Sequence, residues 1–264
     1  MMLTARLAAF EIRYQLRNPV FWVATAIFFL MGFGLASSDS VSFGSPGAVH
    51  ENSPYTLTFA MALFSIFYLF VITSFVANAV VRDDATKFGP MIRATPVGRS
   101  TFLAGRFLGG VTIAILGYLS IPLGIALGAA MPWVDPETVG PGGFMVYAWP
   151  FLVIAIPNII LSSALLFTLA TLTRSMLASY IGVLVLVMAY LAVGIVASAD
   201  PTNLPIAARY EPLASAAIGE ATRYWTAAEM NTRLVPLEGN LLFNRIFTLG
   251  LSALFLGLAW ARSC

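Results

Sequence analysis

VRDDATKFGPMIRATPVGRSTFLAGR, residues 81–106, is a charged island in an oily chain. It holds Arg82, Asp83, Asp84, Lys87, Arg93, Arg99 and Arg106, seven of the chain's 26 formally charged residues. A largely apolar run of about twenty-five residues flanks it on each side, each long enough to cross a bilayer. A charge at the bilayer centre costs about 2.5–3.5 kcal/mol on insertion scales, so the island stays in water between two spans. Five of its seven charges are basic, which assigns it to the cytoplasmic side.

The rest of the composition agrees. Of 264 residues, 59% are apolar and only 10% charged, and the mean hydropathy is +0.87. Soluble domains carry about 25% charged residues. The expected fold is therefore all-α: a polytopic membrane protein of six transmembrane helices with both termini cytoplasmic. The single cysteine, Cys264, excludes an intrachain disulfide. The single histidine, His50, falls in an outside loop without companions and reads as a solvated side chain. Near the N-terminus, Pro19–Ser37 is a 19-residue apolar run. A signal-peptide core is shorter, about 7–15 residues, so this run reads as a retained first span.

Outward from the island, residues 1–18 read as an amphipathic helix at the interface. Leu3, Leu7, Phe10 and Tyr14 recur at helical spacing, and Arg6, Arg13 and Arg17 run along one edge of that face. Their stems suit an apolar surface and their heads suit lipid headgroups. The six spans are expected at about 19–37, 55–81, 107–131, 146–170, 176–198 and 241–260. Gly105 with Gly109, and Gly124 with Gly128, form small-xxx-small pairs that permit close helix approach. Pro150 and Pro157 are expected to kink the fourth span. Between spans 5 and 6, residues 199–240 read as an extracellular segment with short helices at 213–224 and 225–234, resting on or dipping into the outer leaflet. Tyr210, Tyr224 and Trp225 suit the headgroup layer there.

Counting cations tests the topology. Arg6, Arg13, Arg17, Arg82, Lys87, Arg93, Arg99, Arg106, Arg174 and Arg262 all fall inside, while the two short outside loops hold neither Lys nor Arg. That asymmetry is a strong positive-inside signal.

Catalytic patterns are missing. The chain has no HExxH, CxxC, GxxxxGK[ST] or GxSxG. Arg245 is the one charge within a span, near its outer end, where it is expected to snorkel to the interface. Ion-coupled carriers keep ionisable groups inside the membrane, so uncharged interiors speak against that class. Asn78 and Asn158 read as interhelical hydrogen bonders. The basic island is explained by topology rather than by nucleic acid. The chain reads as no enzyme, needs no cofactor of its own, and any energy for transport has to come from another chain.

The layout and several motifs resemble the ABC-2 type permeases, the membrane subunits of a class of ABC exporters. The likeness lies in Arg82-Asp83-Asp84, Thr95-Pro96-Val97, Arg99 and Gly105-Arg106, with the turn Leu172-Thr173-Arg174-Ser175. Ala221-Thr222-Arg223-Tyr224-Trp225-Thr226 and the run from Asn231 to Gly239 look typical of one branch, the N-terminal membrane halves of bacterial permease/M1-aminopeptidase fusions. The resemblance implies a bacterial inner-membrane protein. It would pair with a second permease half, as homo- or heterodimer, and with an ABC ATP-binding subunit that carries the ATP. It further implies that 82–106 is a coupling loop docking on that subunit. Two short helices, residues 86–93 and 99–106, would meet at Thr95, which Pro96 keeps out of the helical region. Asp83, Asp84, Lys87, Arg93 and Arg99 would give rim contacts worth about 0.2–1 kcal/mol each. Phe88, Met91, Ile92 and Phe102 are the expected anchors, since interface energy concentrates in few buried residues. The alternative is a non-transporting membrane anchor, or a truncated half of such a fusion.

Overall fold

The computed structural model of the protein describes residues 2–38, 48–85 and 98–262. Among these, all regular structure is helical and no strand occurs. Six helices are long and apolar enough to cross a membrane: Pro19–Ser37, Pro54–Arg82, Arg99–Ala129, Phe144–Thr173, Met176–Ala197 and Gly239–Arg262, spans 1 to 6. Spans 2, 3 and 4 form the buried centre, and spans 1, 5 and 6 lie at the periphery.

Local chemistry explains the span starts. Asn18 caps span 1 by accepting the Val20 N–H at 3.0 Å, and Pro19 fills the first helical position, where no amide donor is needed. Ser53 and Pro54 repeat the device at span 2, with the Ser53 hydroxyl accepting the Thr56 N–H at 3.1 Å. Span 4 continues through Pro150 and Pro157 by widening into a π-helical turn at Phe151–Ala155. Such a turn absorbs the donor that proline lacks. Span 2 carries a similar turn at Thr73–Ala77. Arg174, in the left-handed conformation at φ 51°, ends span 4 and turns the chain into span 5.

Span 3 starts earlier than hydropathy suggested. Arg99–Tyr118 is one helix, so 99–106 is not a separate loop helix but the first two turns of span 3. Thirty-one residues rise about 46 Å, against a hydrocarbon core of about 30 Å. The surplus, about ten residues, overhangs at the Arg99 end.

The N-terminal helix, Met2–Leu16, uses that overhang. A Cβ on Gly105 would meet the Leu7 Cβ at 2.5 Å, and one on Gly109 would meet the Glu11 Cβ at 2.6 Å. Ile12 and Ile113 share a small apolar cluster one turn further on. These matched steps show the helix running parallel to the first part of span 3. Beyond the Arg17-Asn18 turn, span 1 follows the same rod. Gly124 faces the Phe29 carbonyl, Gly128 the Phe33 carbonyl, and Gly32 the Ile121 carbonyl. The two glycine pairs thus lie on one seam, the first against the N-terminal helix and the second against span 1.

The N-terminal helix buries a polar pair, Glu11 and Gln15, and leaves Leu3, Phe10 and Tyr14 exposed. One expectation is corrected. In 199–240 the helices are Leu204–Tyr210, Ser215–Ala221 and Ala227–Thr232. The first was unforeseen, and the other two are shorter than read. Ala207, Ala208, Leu213, Ala214, Ala217 and Ile218 are all buried, so the first two helices form a hairpin inserted into the bundle. Non-helical backbone at such a turn is tolerated only where protein satisfies it.

Candidate functional site

The described part of the charged island is its two roots, and both converge on one carboxylate. Glu11 has no exposed surface. Its Oε2 accepts from Arg82 Nη2 at 2.9 Å and pairs with Arg106 Nη1. Its Oε1 accepts from Gln15 Nε2 at 2.9 Å, one turn along the same helix. Arg82 closes span 2 and Arg106 lies two turns into span 3, so the N-terminal helix holds both ends of the segment between them. Aromatic rings complete the clamp. The Arg82 guanidinium carbon lies 3.9 Å from the Tyr14 ring centroid, and that of Arg106 lies 5.3 Å from the centroid of Phe102. A carboxylate without water needs such partners, because its desolvation is offset only by close pairing and further hydrogen bonds.

The residues expected on the loop fall around this clamp. Asp83 and Asp84 continue the span 2 helix, which runs to Ala85. Arg99 opens the span 3 helix and is exposed. Phe102 packs on the bundle. Lys87, Phe88, Met91, Ile92, Arg93, Thr95 and Pro96 lie outside the described residues. Glu11 and Gln15 were not singled out from sequence. The signal that could have found them is an acid four residues before an amide on an otherwise apolar and arginine-bearing helix.

A second polar site lies at the other end of the bundle. Arg245 does not snorkel. It is 4% exposed, and its Nη1 donates to Asn158 Oδ1 at 2.8 Å while Nη2 donates to Asn244. Snorkelling needs a path to water, and the inserted hairpin closes it. Asn158 donates to the Ser65 hydroxyl at 3.1 Å and to the Leu213 carbonyl at 3.0 Å, joining span 4 to span 2 and to the hairpin turn. Asn244 donates to the Ala208, Arg209 and Glu211 carbonyls at 2.9, 3.1 and 2.8 Å, satisfying the end of Leu204–Tyr210. Burial pushes the Glu211 carboxyl above its usual range, against the Leu213 and Ala216 N–H groups, the Ser215 hydroxyl and the Arg245 charge. Ala214, at φ 68°, makes the hairpin turn itself. This node ties spans 2, 4 and 6 to the outer segment.

Among the described residues, no group of three or more His, Cys, Asp or Glu side chains could hold a metal ion. The arrangement is that of a polytopic integral membrane protein, all-α, with polar fixings at both ends of an apolar centre. No protein-family model matches the chain, and no curated protein matches it in sequence.

Proposed function

We propose that the chain is the membrane-spanning subunit of an ABC exporter, energised by a separate ATP-binding subunit that docks on the 82–106 loop. The observation that carries this reading is the Glu11 clamp. The chain has no nucleotide-binding motif, and its most charged cytoplasmic loop has both roots gathered on the N-terminal helix, which leads directly into span 1. A push on the loop would reach spans 1, 2 and 3 together. The motif likeness around Thr95-Pro96-Val97 and Gly105-Arg106 adds to it.

Affinity purification followed by ATP photolabelling tests the proposal. A labelled cytosolic polypeptide should co-purify with the chain and be lost from the F88D/I92D variant. Retention in that variant overturns docking on this loop.

The buried Arg245 favours a second reading, a gradient-driven carrier. It removes the argument from uncharged span interiors, since buried intramembrane charge is typical of such proteins. Solute uptake into sealed vesicles without ATP would establish this class. Uptake strictly dependent on ATP and the partner would exclude it.

A further inference from the structure

The N-terminal helix carries Arg6, Arg13 and Arg17, all exposed. Spacings of seven and four set them in one stripe along the helix. Its only acid, Glu11, is fully buried and spent on Arg82 and Arg106. The clamp therefore strips the helix surface of negative charge and leaves three cations on it. Exposed Leu3, Phe10 and Tyr14 flank the stripe on one side, and Met2 and Leu16 on the other. Trp22, exposed at the start of span 1, donates its indole N–H to the Leu16 carbonyl at 2.9 Å, fixing an interfacial aromatic just beyond Arg17.

We infer that this stripe is a binding surface for anionic phospholipid headgroups, with phosphatidylglycerol-type lipid as its occupant. Charge and apolarity together select a lipid. Guanidinium groups pair with headgroup phosphate, while the flanking apolar side chains need acyl chains beside it. A nucleic acid or a soluble acidic peptide would satisfy the arginines and leave Leu3 and Phe10 in water. The inference goes beyond the exporter reading and does not depend on it. Its mechanical consequence follows from Glu11: lipid held at the stripe fixes the helix to which both loop roots are tied.

Spin-labelled lipids in vesicles containing the purified chain test this. The readout is the relative association constant of labelled phosphatidylglycerol over phosphatidylcholine. Each fully engaged arginine contributes about a fivefold preference, so the unaltered chain should show a preference of several-fold or more. R6Q/R13Q/R17Q should bring the ratio near one, with the number of immobilised lipids per chain unchanged, which reports an intact fold. R13Q alone should lower the ratio partway and serves if the triple variant does not fold. R6K/R13K/R17K should keep the preference, and R174Q/R262Q, altering cations elsewhere on that side, should leave it. An unchanged ratio in R6Q/R13Q/R17Q, or an equal loss in R174Q/R262Q, overturns the proposal.

Discussion

Glu11 reaches partners 71 and 95 residues away in sequence. No helical periodicity points to such distant partners, and a lone acid on an arginine-bearing helix reads as a surface residue. What made it invisible also makes it testable. Glu11→Ala would take from both guanidinium groups the buried carboxylate that joins them, and breaking a buried pair costs about 3–5 kcal/mol. Glu11→Gln keeps the volume and one acceptor, so it should cost less than the alanine. Arg82 is the more exposed partner, at 16% against 7% for Arg106, so R106Q should cost more than R82Q. The measurement is unfolding by titration with denaturing detergent in mixed micelles. E11Q/R106Q should fall well short of the sum of its single variants, because neighbours in one network do not add. Additive losses would mean that Glu11 is not the common partner.

The helices themselves were largely legible. Five of the six observed spans begin within two residues of the hydropathy reading, and span 1 agrees at both ends. Span 3 is the exception, because Arg99 and Arg106 signal water while the helix simply continues out of the bilayer to meet the N-terminal helix. The hairpin was only half legible. Proline breaks a helix interior, yet Pro205 sits within the first turn of Leu204–Tyr210, where proline is tolerated. The glycine pairs were legible as close-approach sites, but their partners were not, since pairing along span 3 is set by packing. Substitution separates those glycines from idle ones. A Cβ at Gly124 would strike the Phe29 carbonyl and lie 2.9 Å from the Phe33 nitrogen, both backbone atoms that cannot rotate away. Gly124→Ala should therefore destabilise by about 1–3 kcal/mol. Gly250 and Gly257 in span 6 meet nothing within 4 Å. Alanine there should be neutral or gain up to about 1 kcal/mol of helix propensity. The same detergent titration, run on all three, distinguishes a seam glycine from a lipid-facing one.

At the scale of the molecule, polar fixings sit at the two ends and apolar packing fills the middle. The inner fixing joins the N-terminal helix to spans 2 and 3, and the outer node joins spans 2, 4 and 6 to the inserted hairpin. Span 2 is common to both, through Arg82 and Ser65. The outer node should then behave as one unit. Asn158→Leu removes the acceptor of Arg245 and the donor to the Leu213 carbonyl together, leaving a charge and a carbonyl buried without them. That should cost about 3–5 kcal/mol, as for a broken buried charge. Arg245→Met leaves the amide oxygens of Asn158 and Asn244 unmet, at about 1–3 kcal/mol for each unsatisfied group. N158L/R245M removes charge and partner together and fills the space with apolar side chains of similar length, so it should cost less than Asn158→Leu alone. Trypsin gives an independent local readout, because Arg209 lies at the end of the first hairpin helix and Arg223 just after the second. Cleavage at both should rise in N158L and fall back in N158L/R245M. If the double variant is instead as unstable as the summed single variants, the node is a set of separate bonds, and the hairpin is held by the packing of Ala207, Ala208, Leu213 and Ile218 alone.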